Sequence, residues 1–311
     1  MNILLLGANG QLGRTFLDDG GLAIRGHLVA ACRDGQRFDG QHAEVVDLAS
    51  PETLIALLDR LQPKLIINAA AYTAVDRAEQ EETLATCVNG AAVGLLGKWA
   101  AAHDALVVHY STDYVFDGQA SQPYPIGAPT DPLGAYGRSK LAGEQALRAG
   151  GAAHLILRTA WVYAPHGNNF LRTMLRLGAE RDELRVVADQ HGAPTSTALI
   201  VHATLAALDA WQNANAAQRQ QMQGTYHLVA SGYTSWHGFA SAIFDVANAR
   251  GLIAQKPRVV PIDTVDFPTP AKRPAWSVLD NSGFVQRFGY PLPDWQEGLR
   301  NVIETLSTQV R

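Results

Sequence analysis

Seven residues near the N-terminus, Gly7-Ala8-Asn9-Gly10-Gln11-Leu12-Gly13, follow the apolar run Asn2–Leu6 and open the helical pattern Gln11–Asp18. Three glycines at this spacing between a strand and a helix leave few folds open. The first permits a tight turn, the second lets backbone approach a ligand, and the third lets the helix pack closely on the strand. The unpaired N–H groups of the helix N-terminus then face a space suited to a pyrophosphate. The loop therefore predicts a dinucleotide-binding βαβ unit contacted by Gly7, Asn9, Gly10, Gln11, Leu12 and Gly13. The alternative is a tight turn with no ligand, and the position between strand and helix weighs against it.

The pattern that follows supports such a unit. Asn2–Leu6, His27–Cys32, Glu44–Val46, Lys64–Ala69, Leu106–Tyr110 and His154–Leu157 read as strands. Gln11–Asp18, Pro51–Leu61, Asp76–His103 and Ala135–Leu147 read as helices between them. Strands that are almost continuously apolar, alternating with helices, predict a parallel sheet covered on both faces. Ser50 before Pro51 gives the second helix an N-cap and a proline at its first position.

Past residue 163 the alternation loosens. Asn169–Arg181, Thr197–Trp211, Thr234–Arg250 and Trp295–Thr308 are helical, and Tyr226–Ala230 is one more sheet strand. Asn213–Gln223 reads as a helix end running into a surface loop, and Pro257–Pro274 as mostly extended. The expected fold is α/β: a Rossmann-type doubly wound parallel sheet with a smaller, interleaved C-terminal substrate-binding lobe. Residues 1–163 plus about 196–231 form the dinucleotide-binding domain, and about 164–195 plus 232–311 the substrate lobe.

Composition removes several other classes of function. The 311 residues carry a net charge of -4 and show no basic stripe, so nucleic acid is not an expected partner. No stretch reaches the ~18 apolar residues of a membrane span. Cys32 and Cys87 form neither a disulfide framework nor a zinc pattern. Ile3–Leu6 has no basic segment before it and does not read as a signal peptide, so a cytoplasmic location is expected.

The tip of the second strand bears on the cofactor. An acidic residue about 20 positions after the glycines would hold the ribose diol of NAD, but Ala30-Ala31-Cys32-Arg33 has none. Arg33 suits a 2′-phosphate, which a guanidinium grips with two donors. A solvated arginine is the alternative, and Asp34 pulls the other way. NADPH is the expected cofactor, with NADH also accepted. Asp47 and Leu48 would flank the adenine, and the small residues Ala69, Ala70 and Ala71 would lie where a cofactor crosses the strand ends.

The chemistry is read from Tyr136-Gly137-Arg138-Ser139-Lys140, downstream of Ser111-Thr112-Asp113-Tyr114. Positions i and i+4 share a helix face, so the Lys140 ammonium is expected to lower the pKa of the Tyr136 phenol. Thr112 would hold a carbonyl oxygen while Tyr136 protonates it. That is the acid half of a carbonyl reduction.

These segments resemble the extended short-chain dehydrogenase/reductases, and within them the dTDP-4-dehydrorhamnose reductases. The likeness continues through Asn68–Asp76, His109–Gly118, Arg158–Tyr163, Gly167–Phe170, Asp189–Thr195 and Pro268–Pro274, essentially the whole chain. The resemblance implies NADPH-dependent reduction of the 4-keto group of dTDP-4-dehydro-6-deoxy-L-mannose to dTDP-L-rhamnose, the last step in making that sugar nucleotide. Thr112, Tyr136 and Lys140 would be catalytic, with Ser111, Tyr136 and Lys140 also holding the cofactor, Lys140 at the nicotinamide ribose. Asp113, Tyr114, Trp161, Asn168, Asn169, Phe170 and Arg273 would bind the dTDP-sugar, Arg273 at its pyrophosphate. Trp161 fits a core position equally well, and Arg273 a solvated loop. Some relatives pair through a metal held by glutamates, but Arg14–Leu17 and Ser196–Leu199 contain no carboxylate. A monomer or weak homodimer without a bridging metal is therefore expected. Two alternatives remain. One is a non-catalytic NADP-binding subunit resembling the regulatory subunit of methionine adenosyltransferase. The other is a dehydratase or epimerase, although Asp113-Tyr114 lacks the Asp-Glu pair of the dehydratases.

Overall fold

In the computed structural model, which describes residues 1–309, β1 (Asn2–Leu6) runs through the middle of a seven-stranded sheet. Ile3, Leu4, Leu5 and Leu6 are fully buried, as expected where helices cover both faces. α1 (Gln11–Asp19), β2 (His27–Cys32), β3 (Glu44–Val45), α2 (Pro51–Leu61) and β4 (Leu65–Asn68) follow. β1 lies between β2 and β4, and β3 is the edge strand beyond β2. On the other side the order runs β4, β5 (Leu106–Thr112), β6 (Ala153–Thr159) and finally Gly224–His227, with every pairing parallel. The strand order reverses between β1 and β4, and a parallel sheet opens its ligand crevice beyond the strand ends at such a point.

One expected helix is several elements. Asp76–His103 comprises α3 (Val75–Ala78), α4 (Glu82–Thr86), a π turn at Cys87–Ala91 and α5 (Ala92–Ala102). Tertiary bonds account for the π turn. Asn89 accepts from the Tyr72 N–H at 2.9 Å, donates to the Tyr72 carbonyl at 3.0 Å and donates to Ser139 Oγ at 2.9 Å. The wider turn aims Asn89 inward, and π turns recur at functional sites for that reason. α6 (Ala135–Ala149) packs against this turn. Ser50 occupies its expected cap position without a side-chain bond to the helix backbone; its carbonyl accepts from Thr53 Oγ1 at 2.9 Å.

The later elements are β7 (Val162–Tyr163), α7 (Phe170–Glu180), β8 (Glu183–Val187), β9 (His191–Gly192), β10 (Thr195–Ser196) and α8 (Thr197–Asn213). α9 (Ala216–Met222) replaces the expected loop, because Asn215 and Gln218 form a reciprocal capping box. β11 is the sheet strand Gly224–His227, two residues before the start expected for it. β12 (Thr234–Ser235) pairs with β9, and Ser235 caps α10 (Trp236–Ala249), so that helix begins later than expected. In 257–274 only β13 (Arg258–Ile262) is a strand. It pairs with β8, a strand that sequence periodicity does not reveal, and α11 (Ser282–Phe288) is equally unmarked. α12 spans Trp295–Gln309. Among the described residues no helix is long and apolar enough to cross a membrane.

Candidate active site

A cleft of about 1370 Å³ runs along the C-terminal ends of the sheet strands. It begins at the glycine loop. Gly7 has φ +82°, and a Cβ there would come within 2.6 Å of the Ala70 nitrogen. Gly13 lies outside the lining, where a Cβ would strike the Gly7 carbonyl; it lets α1 sit against β1. Gly7, Asn9, Gly10, Gln11 and Leu12 all line the cleft. Arg33, Asp47, Leu48, Ala69, Ala70 and Ala71 line it from the ends of β2, β3 and β4. Ser111, Thr112, Asp113, Tyr114, Tyr136 and Lys140 line its β5–α6 end, with Trp161 and Asn168 beside them.

Three of the expected substrate residues do not line the cleft. Asn169 caps α7 and donates to Gln11 Oε1 at 2.8 Å and the Ala164 carbonyl at 2.9 Å. It therefore ties α7 to the glycine loop. Phe170 packs its ring 4.7 Å from that of Trp236 and 5.6 Å from that of Phe239. Arg273 pairs with Asp76 at 2.9 Å, joining the proline-rich segment to α3. Asn9 also spends its amide on protein, accepting from the Phe38 N–H at 3.0 Å and donating to the Gln36 carbonyl at 2.7 Å. Asp34 turns back to accept from Cys32 Sγ at 3.1 Å, which holds its carboxyl below the usual range. Arg33 is exposed, and its side chain makes no hydrogen bond or ion pair among the described residues.

The acid–base groups differ from the sequence expectation in one respect. Lys140 does not lower the Tyr136 phenol; burial, with the Asp113 charge, pushes it up to about 12, against a smaller opposing effect of Thr112. The cause is visible at Lys140, a buried ammonium that donates to the Tyr110 carbonyl at 2.6 Å. Burial brings Lys140 itself down to about 8. Taking a phenol out of water raises its pKa, and here that effect outweighs a cation whose bonds point elsewhere. Tyr136 is thus a protonated acid at neutral pH. Thr112 donates to Asp113 Oδ1 at 3.0 Å and accepts from the Tyr114 N–H at 3.2 Å. Asp113 is raised to about 6 by burial, and its Oδ2 has no partner. Its unpaired oxygen is chemically suited to a hydroxyl donor arriving in the cleft.

A family model described as "RmlD substrate binding domain" matches residues 1–308. The dTDP-4-dehydrorhamnose reductase of Burkholderia thailandensis is 46% identical, with 99% of this chain and 100% of that protein covered. The chain belongs to the dTDP-4-dehydrorhamnose reductase family. A crystal structure of a dTDP-4-dehydrorhamnose reductase from Clostridium acetobutylicum superposes with a TM-score of 0.85 at 34% identity, covering 98% of this chain and 99% of that one. One from Bacillus anthracis, in complex with NADP, gives 0.83 at 32% identity, covering 98% of this chain and 99% of that one. The non-catalytic regulatory alternative finds no support among these relatives.

Within this reductase-family fold, several residues near the site were not singled out from sequence. Trp236 stacks on Trp161 with centroids 3.5 Å apart and planes 3° from parallel. Trp161 has φ +48°, unusual for a non-glycine residue, so its indole stands at a backbone bend against a second indole. Trp161 is thereby both cleft wall and part of the packed interior. Tyr72 lines the cleft and donates to Glu81 Oε2 at 2.5 Å. No periodicity marks Trp236 or Asn89; only their long-range partners do.

Proposed function

We propose that this chain reduces the 4-keto group of dTDP-4-dehydro-6-deoxy-L-mannose to dTDP-L-rhamnose with NADPH, NADH also being accepted. The observation carrying this reading is a single cleft that begins at the glycine loop and ends at Thr112, Tyr136 and Lys140. A dinucleotide fits the residues present: Gly7 has no room for a side chain, and Arg33 is exposed at the β2 tip. Gly10, Gln11 and Leu12 would hold its pyrophosphate, Asp47 and Leu48 its adenine, and Ser111 and Lys140 its nicotinamide ribose. NADPH, when bound, supplies the hydride. Tyr136 donates its phenolic proton to the C4 oxygen. Thr112 turns its hydroxyl from Asp113 to that oxygen and steadies the developing charge. Asp113, with its unpaired Oδ2, accepts a sugar hydroxyl, and Trp161 packs on the sugar ring.

Residues 1–163 plus about 196–231 are assigned to the nucleotide domain and the remainder to the substrate lobe, in a cytoplasmic monomer or weak dimer. The deciding experiment follows NADPH loss with the keto sugar, beside its D-gluco-derived precursor. Oxidation with the first alone supports the reading; no oxidation with either removes it.

Two mutations probe the ends of the cleft. Arg33→Ala should erode a preference for NADPH over NADH by roughly 1.5–3 kcal/mol, the worth of one hydrogen bond to a charged group. Equal use of both cofactors by wild type, unchanged in the mutant, would show a solvated side chain. Arg273→Ala should weaken dTDP binding by a similar amount and leave NADPH affinity unchanged. Lysine there should restore only part, lacking the planar fork. The Asp76 pair would hold that guanidinium ready at the cleft edge. Calorimetry with dTDP decides it, because equal binding by both proteins returns Arg273 to a purely structural role.

A further inference from the structure

Behind the cleft, β4 and β5 bury two side chains, Asn68 and His109, that the proposed chemistry leaves unused and that lead to Lys140 on α6. His109 is fully buried on β5. Its Nδ1 lies 3.1 Å from Asn68 Nδ2, and its Nε2 lies 3.4 Å from Lys140 Nζ. An ammonium has three protons to donate and no lone pair to accept with. The Tyr110 carbonyl takes one of them at 2.6 Å. Nε2 must therefore accept the second, which puts the ring proton on Nδ1, facing the Asn68 amide.

Only the amide oxygen can accept that proton. A half-turn of the amide exchanges oxygen for nitrogen with almost no change in shape. Asn68 Oδ1 has no partner where it stands, so the half-turn gives up none of its bonds. The result is a directed chain in which Lys140 donates to His109 and His109 donates to Asn68. With two protons taken by β5, the third is left for the cleft that Lys140 lines.

We propose that His109, fixed in one tautomer by Asn68, is a positioning residue that aims the Lys140 ammonium into the cleft and supports its charged form. The proposal rests on the reductase reading and deepens it. Burial, and then the Lys140 charge, hold His109 well below the usual histidine range, so it stays a neutral acceptor at working pH. Among the described residues the ionisable groups near Lys140, besides His109, include Glu144 and Tyr136, one turn away on either side along α6, and Asp113, which lines the same end of the cleft. Arg158 on β6 is paired with Glu144. Burial lowers Lys140 and Glu144 opposes it. Removing the His109 acceptor takes away a bond that the ammonium makes more strongly than the neutral amine does. The lysine pKa then falls further, and the basic limb of the kcat profile moves to lower pH.

The test compares full-length wild type, His109→Leu and His109→Gln. His109→Leu should bind dTDP normally, with the basic limb of kcat lowered by about one pH unit or more, as expected when a charged group gives up one hydrogen bond. His109→Gln, which still presents an acceptor, should keep the limb near wild type. If the leucine variant does not fold, His109→Asn, too short to reach Nζ, takes its place with the same expectation. NMR titration of the Lys140 side chain reads the same shift without turnover. An unmoved limb and an unmoved titration in His109→Leu or His109→Asn would overturn the proposal, as would equal losses in these and in His109→Gln. If wild type does not reduce the keto sugar, the reductase reading fails, while the lysine titration still decides the role of His109.

Discussion

Replacing Tyr136 with phenylalanine should lower kcat by about 10²–10⁴, the range for loss of a positioned general acid. Cofactor affinity and fold should be unchanged. The phenol is half-buried, stands edge-on to Tyr114 with ring centroids 5.6 Å apart, and has Thr112 as its polar neighbour. Phenylalanine fills the same volume, so the change removes a proton donor and little else. The pH behaviour gives a second reading. With the phenol raised to about 12, wild type should show no loss of activity from Tyr136 itself up to pH 9, so a basic limb near 8 belongs to Lys140. An acid limb near 6 would report Asp113, whose protonation removes its charge beside Tyr136 and weakens its acceptor for Thr112. Wild-type kcat in Tyr136→Phe would end the assignment of this residue as acid.

Local patterns were legible in the sequence. The glycine loop stood between its strand and helix because both periodicities are set within a dozen residues, and Tyr136 and Lys140 do share one helix and one cleft. What failed depended on partners far away in the chain. Asp76–His103 lost its continuity to Asn89, whose bonds go to Tyr72 and Ser139. Arg273 looked free until the fold set it beside Asp76, 197 positions earlier. Lys140 was assigned to the phenol by spacing, but the depth of β5 decides its bonds, and spacing carries no measure of depth. His109 falls within the predicted strand Leu106–Tyr110, and nothing local shows that a lysine will be buried against it. Asn215–Gln218 is the opposite case: the capping box is fully present in the sequence, inside a segment polar enough to pass for a surface loop.

The largest effect on stability should come from Glu144, two turns beyond Tyr136 on α6. Its carboxylate is fully buried and accepts from Arg158 Nε at 2.8 Å and Nη2 at 2.7 Å, a two-pronged pair between α6 and β6. Arg148 adds a weaker contact at 3.2 Å from a more exposed position. Burial works to raise the Glu144 pKa, but the Arg158 bonds and charge prevail and hold it below the usual range. A carboxylate depressed in the folded state adds stability above its ordinary value of about 4.3, and that stability is lost as pH falls through the folded value. Glu144→Gln places an amide N–H against a guanidinium N–H and leaves Arg158 charged and buried beside the Phe116 ring, 5.1 Å away. Breaking one side of such a pair costs about 3–5 kcal/mol. Replacing both residues with methionine should recover most of that loss, since an apolar pair of similar volume carries no desolvated charge. Urea unfolding at neutral pH measures all three proteins, and repeating it below pH 4 should narrow the gap between wild type and Glu144→Gln. If Glu144→Gln unfolds within about 1 kcal/mol of wild type at neutral pH, water reaches the pair, and α6 is anchored to the sheet by its apolar contacts alone.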